Sequence, residues 1–170
     1  MKTVLPVLPL SLVLALFAGP AASASATPDC VSATPAVEQM TEETLSIVRT
    51  DGEIIEFTAR IADSGWKRAA GFQHICPDAV ARTIILFRFE KDTQSPFHMR
   101  NCHAPLDIAF IDSDGRVVDI QRMEPYVDSP LFVRQPTYQS RAPFRYAIEM
   151  AAGRMSEVGI EIGAKLEIGP

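Results

Sequence analysis

An alternating run behind a tight turn limits the folds open to this chain more than any other feature. Ile55, Phe57, Ala59 and Ile61 alternate with Glu56, Thr58 and Arg60, the period of a strand with one buried face. Asp51-Gly52 stands just upstream. Such a pair reverses a chain into an antiparallel hairpin, because glycine adopts positive φ without steric penalty. Leu45 and Ile47 flank Ser46, a shorter alternation that predicts the partner strand. A second turn, Asp112-Ser113-Asp114-Gly115, separates strand-like Leu106–Asp112 from Arg116–Glu124. Thr83–Phe89 is β-branched and aromatic and reads as a central strand. Phe97–Asn101, Arg145–Met150 and Glu161–Ile168 read as further strands, the last broken by Gly163. Helical patterning is confined to Ser64–Phe72 and to turns after Cys76 and over 151–158. In the first of these, Asp63 supplies a cap and Trp66, Ala69 and Ala70 share the apolar face, with Lys67 and Arg68 outward. Short strands with Gly, Pro and Asp turns predict a mainly β chain, a compact antiparallel sandwich or barrel with one or two short helices.

The N-terminus reads as a targeting segment. Lys2 precedes an apolar run, Val4–Ala18, and Ala22-Ser23-Ala24 and Ala24-Ser25-Ala26 suit a signal peptidase. The run is shorter than the roughly 20 apolar residues that span a bilayer. The expected layout is a signal peptide over 1–26, a disordered or extended arm over 27–40 and a single β-rich domain over 41–170. The mature protein is expected to be soluble and periplasmic or extracellular, with no transmembrane segment. A net charge of −5 without a basic stripe argues against nucleic acid as a partner, because phosphate binding needs clustered Lys and Arg. Of 3 cysteines, an oxidising compartment favours one bridge. Cys30–Cys76 is favoured among the three possible pairings because it would pin the arm to a loop; the alternative leaves all three as thiols.

Chemistry-bearing residues concentrate in Phe97–Asp112. Asp107 sits on a strand with two largely apolar faces, and a carboxylate there needs a partner or a proton. Arg100 and Arg145 are the candidate cations; the backbone N–H groups of the Asn101–Pro105 turn are the alternative. The favoured function is non-catalytic: a small polar or anionic ligand held by His98, Arg100, Asn101, Asp107, Ser140 and Arg145. An envelope hydrolase using Asp107 as acid or base is the rival, and it requires a nucleophile and oxyanion donors within reach. A third reading places copper or zinc on His74, His98, Cys102 and His103, although their spacing matches no established metal motif; otherwise no cofactor is expected. Cys102 and His103 are adjacent and point to opposite sides of an extended chain, which disfavours a dyad. Asp112, Asp114 and Gly115 lack the later ligands of a calcium loop. Pro125–Pro136 is a long loop of the kind that often carries function.

Several of these stretches together resemble a bacterial and archaeal family known as domain of unknown function 192. Phe97, Met99, Asn101, Pro105, Leu106, Asp107, Ile108, Phe110, Ile111 and Asp112 follow its central pattern, and Asp114–Val118 continues it. Tyr138, Ser140, Pro143, Arg145, Tyr146, Ala147, Glu149, Ala152 and Gly153 follow a later one. Upstream, Arg68–Phe72 and Leu86–Phe89 also correspond. The resemblance spans roughly Ile55 to Ile168. It departs at Gln73, His98, Arg100 and Cys102, where the family usually has Met, Trp, Lys and Thr. It implies a small β-rich domain of sandwich or barrel type, often exported, with no established activity, substrate or cofactor.

Overall fold

The computed structural model describes residues 30–125 and 135–167. The expected signal peptide and most of the Pro125–Pro136 loop lie outside the described residues. Chain order is α1 (Pro35–Glu38), β1 (Glu42–Val48), β2 (Ile54–Ala62), α2 (Gly65–Ala70), α3 (Pro77–Val80), β3 (Ile85–Thr93) and β4 (Phe97–His98). It continues through β5 (Leu106–Ile111), β6 (Val117–Met123), β7 (Thr137–Tyr138), β8 (Phe144–Ala151), α4 (Arg154–Glu157) and β9 (Lys165–Glu167).

The chain is mainly β. Seven strands form one curled sheet in the order β6-β5-β8-β3-β2-β1-β9, a half-barrel, and β4 pairs with β7 in a separate ladder. Its two edges meet at one end. Arg116 bridges Lys165, and the Leu166 amide donates to the Gly115 carbonyl at 2.7 Å. Gly115 holds φ at +84°, and a Cβ there would stand 2.5 Å from the Leu166 oxygen. Only glycine suits this seam.

Both predicted hairpins form. Glu42–Val48 pairs with Ile54–Arg60, and β5 pairs with β6. The sheet is largely antiparallel, as expected, and three details differ from the expectation. The sheet is not wholly antiparallel, because β2 and β3 run parallel. A parallel pair requires a crossover, and residues 63–84 supply it through α2 and α3. There are four short helices among the described residues rather than one or two. Finally, the arm over 27–40 is structured from residue 30. The Thr34 hydroxyl caps α1 by accepting from the Val37 amide, Pro35 opens the helix, and Ala36, Val37 and Met40 are buried. Cys30 and Cys76 form a disulfide, and Val31 pairs in parallel with Ile75 beside it.

Strand alternation splits the core in two. Leu45, Ile47, Phe57, Ile61, Leu86, Ala109, Ile111, Ile148 and Met150 fill the inside of the curl, closed by Met155 of α4 and by Ile160. Ile85, Phe87, Ile108, Phe110, Phe144 and Ala147 face outward and pack beneath Val37, Phe72, Val80 and Met99. The candidate site lies within this second, helix-covered layer.

Candidate functional site

β8 lies between β3 and β5, so neither of its edges meets water. Glu149 sits beside Ile85 on one neighbour and Ile108 on the other. It shares a face with Ala147 and points beneath the helical cover, where it is 4% exposed. Among the described residues no cation and no hydrogen-bond donor reaches its carboxyl. Burial alone pushes its pKa up to about 8, so at neutral pH the group is mostly the uncharged acid.

That acid lines a cavity of about 230 Å³ whose walls include Phe72, Phe87, Phe89, Phe97 and Cys102. The rings brace one another edge to face, Phe87 against Phe97 at 5.1 Å and Phe89 against Phe144 at 5.4 Å. Gly71 ends α2 at φ +47° and forms part of the wall. Arg68 stands at the rim, its guanidinium carbon 5.0 Å from the Phe89 ring centre. The Arg68 Nη1 donates to the carbonyls of Asp63 and Arg88 at 2.8 and 2.9 Å, which fixes the group in place. Trp66, expected on the covered face of α2, is 51% exposed, and Arg68 is half-buried instead. Cys102 faces the same space. Its thiol is pushed up to about 12, first by burial and then by the Glu149 charge, which leaves almost no thiolate.

The structure brings only His98, of the six proposed ligand residues, to this cavity. Arg100 Nε donates to Gln135 Oε1 at 3.4 Å. Asn101, held at φ 55°, bonds Gln73 Oε1 and His74 Nε2. Asp107 is half-buried and accepts the Gly153 amide at 2.6 Å; Arg122 is the cross-strand residue opposite it. Neither arginine expected beside Asp107 is its partner. Ser140 is buried and accepts from the Ala142 amide, and Arg145 pairs with Asp92 at 2.8 Å. The backbone-acceptor alternative for Asp107 therefore holds, but at the turn after β8 rather than at Asn101–Pro105.

The metal constellation does not assemble. Among the described residues no three His, Cys, Asp or Glu side chains group as ligands. His74 is tied to Asn101, His98 Nδ1 accepts the Arg100 amide, and Cys102 turns into the cavity. Asp112 behaves as a turn residue, its carboxylate accepting the amides of Asp114 and Arg116.

Sequence reasoning placed Glu149 with Arg145 and Ala147 on one strand face, either solvated or lining a cleft, but did not count it among the candidate ligand residues. Its signal was present: an acid flanked directly by Ile148 and Met150, in a strand whose remaining C-terminal half is apolar. A second buried carboxylate, Asp119, was also missed. It accepts Gln121 Nε2 at 2.7 Å and the Arg141 amide at 3.3 Å, pinning the segment after β7 to β6.

Fold and cavity define a class of small β domain, a half-barrel with one face roofed by short helices and a buried acid on the wall of the cavity beneath them. The chain belongs to the family called domain of unknown function 192, described as Uncharacterized ACR, whose family model matches residues 46–168. Among its relatives is a UPF0127 protein of Thermococcus sibiricus, 25% identical over 121 residues, which are 71% of this chain and 72% of that one. Another is a UPF0127 protein of Pyrococcus furiosus, 25% identical over 69% of this chain and 92% of its own. A crystal structure from Sinorhizobium meliloti, described as a candidate transcription regulator, has a TM-score of 0.62 and 26% identity. The alignment covers 75% of this chain and 94% of that one. A protein of unknown function from Novosphingobium aromaticivorans shares the fold at a TM-score of 0.63 and 24% identity, over 88% of this chain and 99% of its own.

Proposed function

We propose that this is an exported, non-catalytic binding domain and that the cavity over Glu149 is its ligand site. The observation that carries the reading is a carboxyl, 4% exposed and without a partner among the described residues, on the wall of a cavity that four phenylalanines also line. A buried polar group without a partner is costly, and a pocket combining apolar walls with one directed polar group is the usual form of a small-molecule site. The volume is adequate: an apolar cavity of about 150 Å³ accepts benzene, and this one is about 230 Å³.

The ligand first expected was anionic, with Arg100 and Arg145 as its receptors. Both are engaged elsewhere, so the proposed site moves to the acid. The hydrolase alternative is weaker because Asp107 accepts a backbone amide outside this cavity and the Cys102 thiol is held protonated. The regulator description of the Sinorhizobium protein is not carried over, since a net charge of −5 opposes phosphate binding. Export is supported by the Cys30–Cys76 disulfide, which suits an oxidising compartment. An N-terminus at Ser25 or Thr27 in exported material would support it, and one still at Met1 would refute it.

Ligand-observed NMR with small aromatic fragments tests the site. Hits should compete with one another and disappear in Cys102→Met, which projects a longer side chain into the same space. Hits indifferent to that change, or none at all, would remove the proposal.

A further inference from the structure

We propose that the occupant of this cavity is a small organic ammonium ion, with an aromatic or short aliphatic body and one charged amino group paired with Glu149. The inference rests on the cavity being a ligand site and adds the chemical class of what enters it.

Three ligand classes can be weighed against the walls. A wholly apolar molecule would cover the rings and leave the acid without a partner. An anion could be held only by the neutral acid and would be repelled once Glu149 ionises, and the cation nearest to hand, Arg68, already spends Nη1 on two carbonyls. An ammonium group alone brings both opposite charge and N–H donors, and such charge-assisted bonds are about twice as strong as neutral ones. The aromatic walls act in the same direction, since ring faces attract cations; Arg68 over Phe89 is one such contact at the rim.

The electrostatic surroundings are sparse. α2 contributes Arg68, β4 contributes His98 and the segment after β4 contributes Cys102. From the flanking strands the neighbours are Ile85 and Ile108, which do not ionise. Among the described residues Glu149 is the only carboxyl lining the cavity.

Proton balance follows. The empty site holds Glu149 as the neutral acid at pH 7 because burial raises it to about 8. An entering ammonium ion pairs with the carboxylate, and the acid's proton leaves to solvent. Below about pH 8 each binding event therefore releases close to one proton. Affinity falls by about tenfold per pH unit well below that point, about 50-fold in all between pH 8 and pH 6.

Calorimetry on the full chain tests this, with benzylammonium chloride as the probe and benzyl alcohol as its uncharged counterpart. Titrations in phosphate and in Tris, whose ionisation heats differ, report the proton count. The expected result is tighter binding of benzylammonium, one proton released at pH 7, and the 50-fold pH dependence. Glu149→Gln should abolish both the release and the preference for the amine while still taking up benzyl alcohol. Equal binding of amine and alcohol, or proton release that survives Glu149→Gln, would overturn the amine assignment and leave the cavity as a ligand site. Binding of neither probe would overturn both.

Discussion

Glu149 links protonation to folding. In the unfolded chain it ionises near its ordinary 4.5, whereas in the folded chain it holds its proton to about 8. Between those values only the unfolded state has lost the proton. The contribution is therefore fully present below about pH 4.5 and is lost as pH rises through 8, by up to ~1.4 kcal/mol per unit. Urea denaturation of wild type and Glu149→Gln at pH 5, 6.5 and 8 should show the substituted chain gaining relative stability at each step, by several kcal/mol in all. Cys102 gives a second check. With its thiol near 12, iodoacetamide at pH 8 should alkylate it at least tenfold more slowly in the native protein than in urea. Equal rates would mean that burial does not hold the thiol protonated. Asp107 and Glu149 also explain why the acid was misplaced by sequence reasoning. Both stand among apolar neighbours, but Asp107 lies one residue into β5, close enough to the strand end to meet the Gly153 amide. Glu149 lies in an interior strand paired on both sides, and among the described residues no donor reaches its carboxyl.

The elements that local patterning revealed are those whose information is local. Asp51-Gly52 turned where expected, with Gly52 at φ 88° and the Arg49 amide donating to the Glu53 carbonyl. The 112–115 turn did the same. The pieces that were missed depend on distant partners. Residues 35–38 carry too few positions for helical periodicity, and their helix is held by burial of Val37 and Met40 against the outer layer. The parallel β2–β3 pair has no signature in either strand; it follows from the crossover between them. The seam gives this scale its prediction. Gly115→Ala forces a Cβ against the Leu166 carbonyl and a side chain into positive φ, two penalties that together should cost more than about 2 kcal/mol. A shift in the urea midpoint, with faster amide exchange at Leu166 and Val117, would register it. An unchanged midpoint would show that the edges close without that contact.

For the whole molecule, the disulfide matters most to the roof. It joins residues 46 apart, a loop for which chain-entropy arguments give about 4 kcal/mol. Cys30→Ser with Cys76→Ser should lower the melting temperature by several degrees and expose the 30–40 segment to proteases before the strands yield. Simultaneous cleavage throughout would place the arm in the same cooperative unit as the sheet. Family membership and the mainly β class were readable because they rest on ordered short motifs. The cavity was not, because its walls come from α2, β3, β4 and β8, brought together only by the curl of the sheet. The crossover over 63–84 has one more implication. It is a contiguous cassette, inserted between two neighbouring strands, and it supplies Arg68, Gly71 and Phe72 to the site while the acid stays on the sheet. A relative that exchanged this cassette alone would keep the barrel and the proton-holding carboxyl but present a new ceiling, so selectivity in such proteins can diverge one segment at a time.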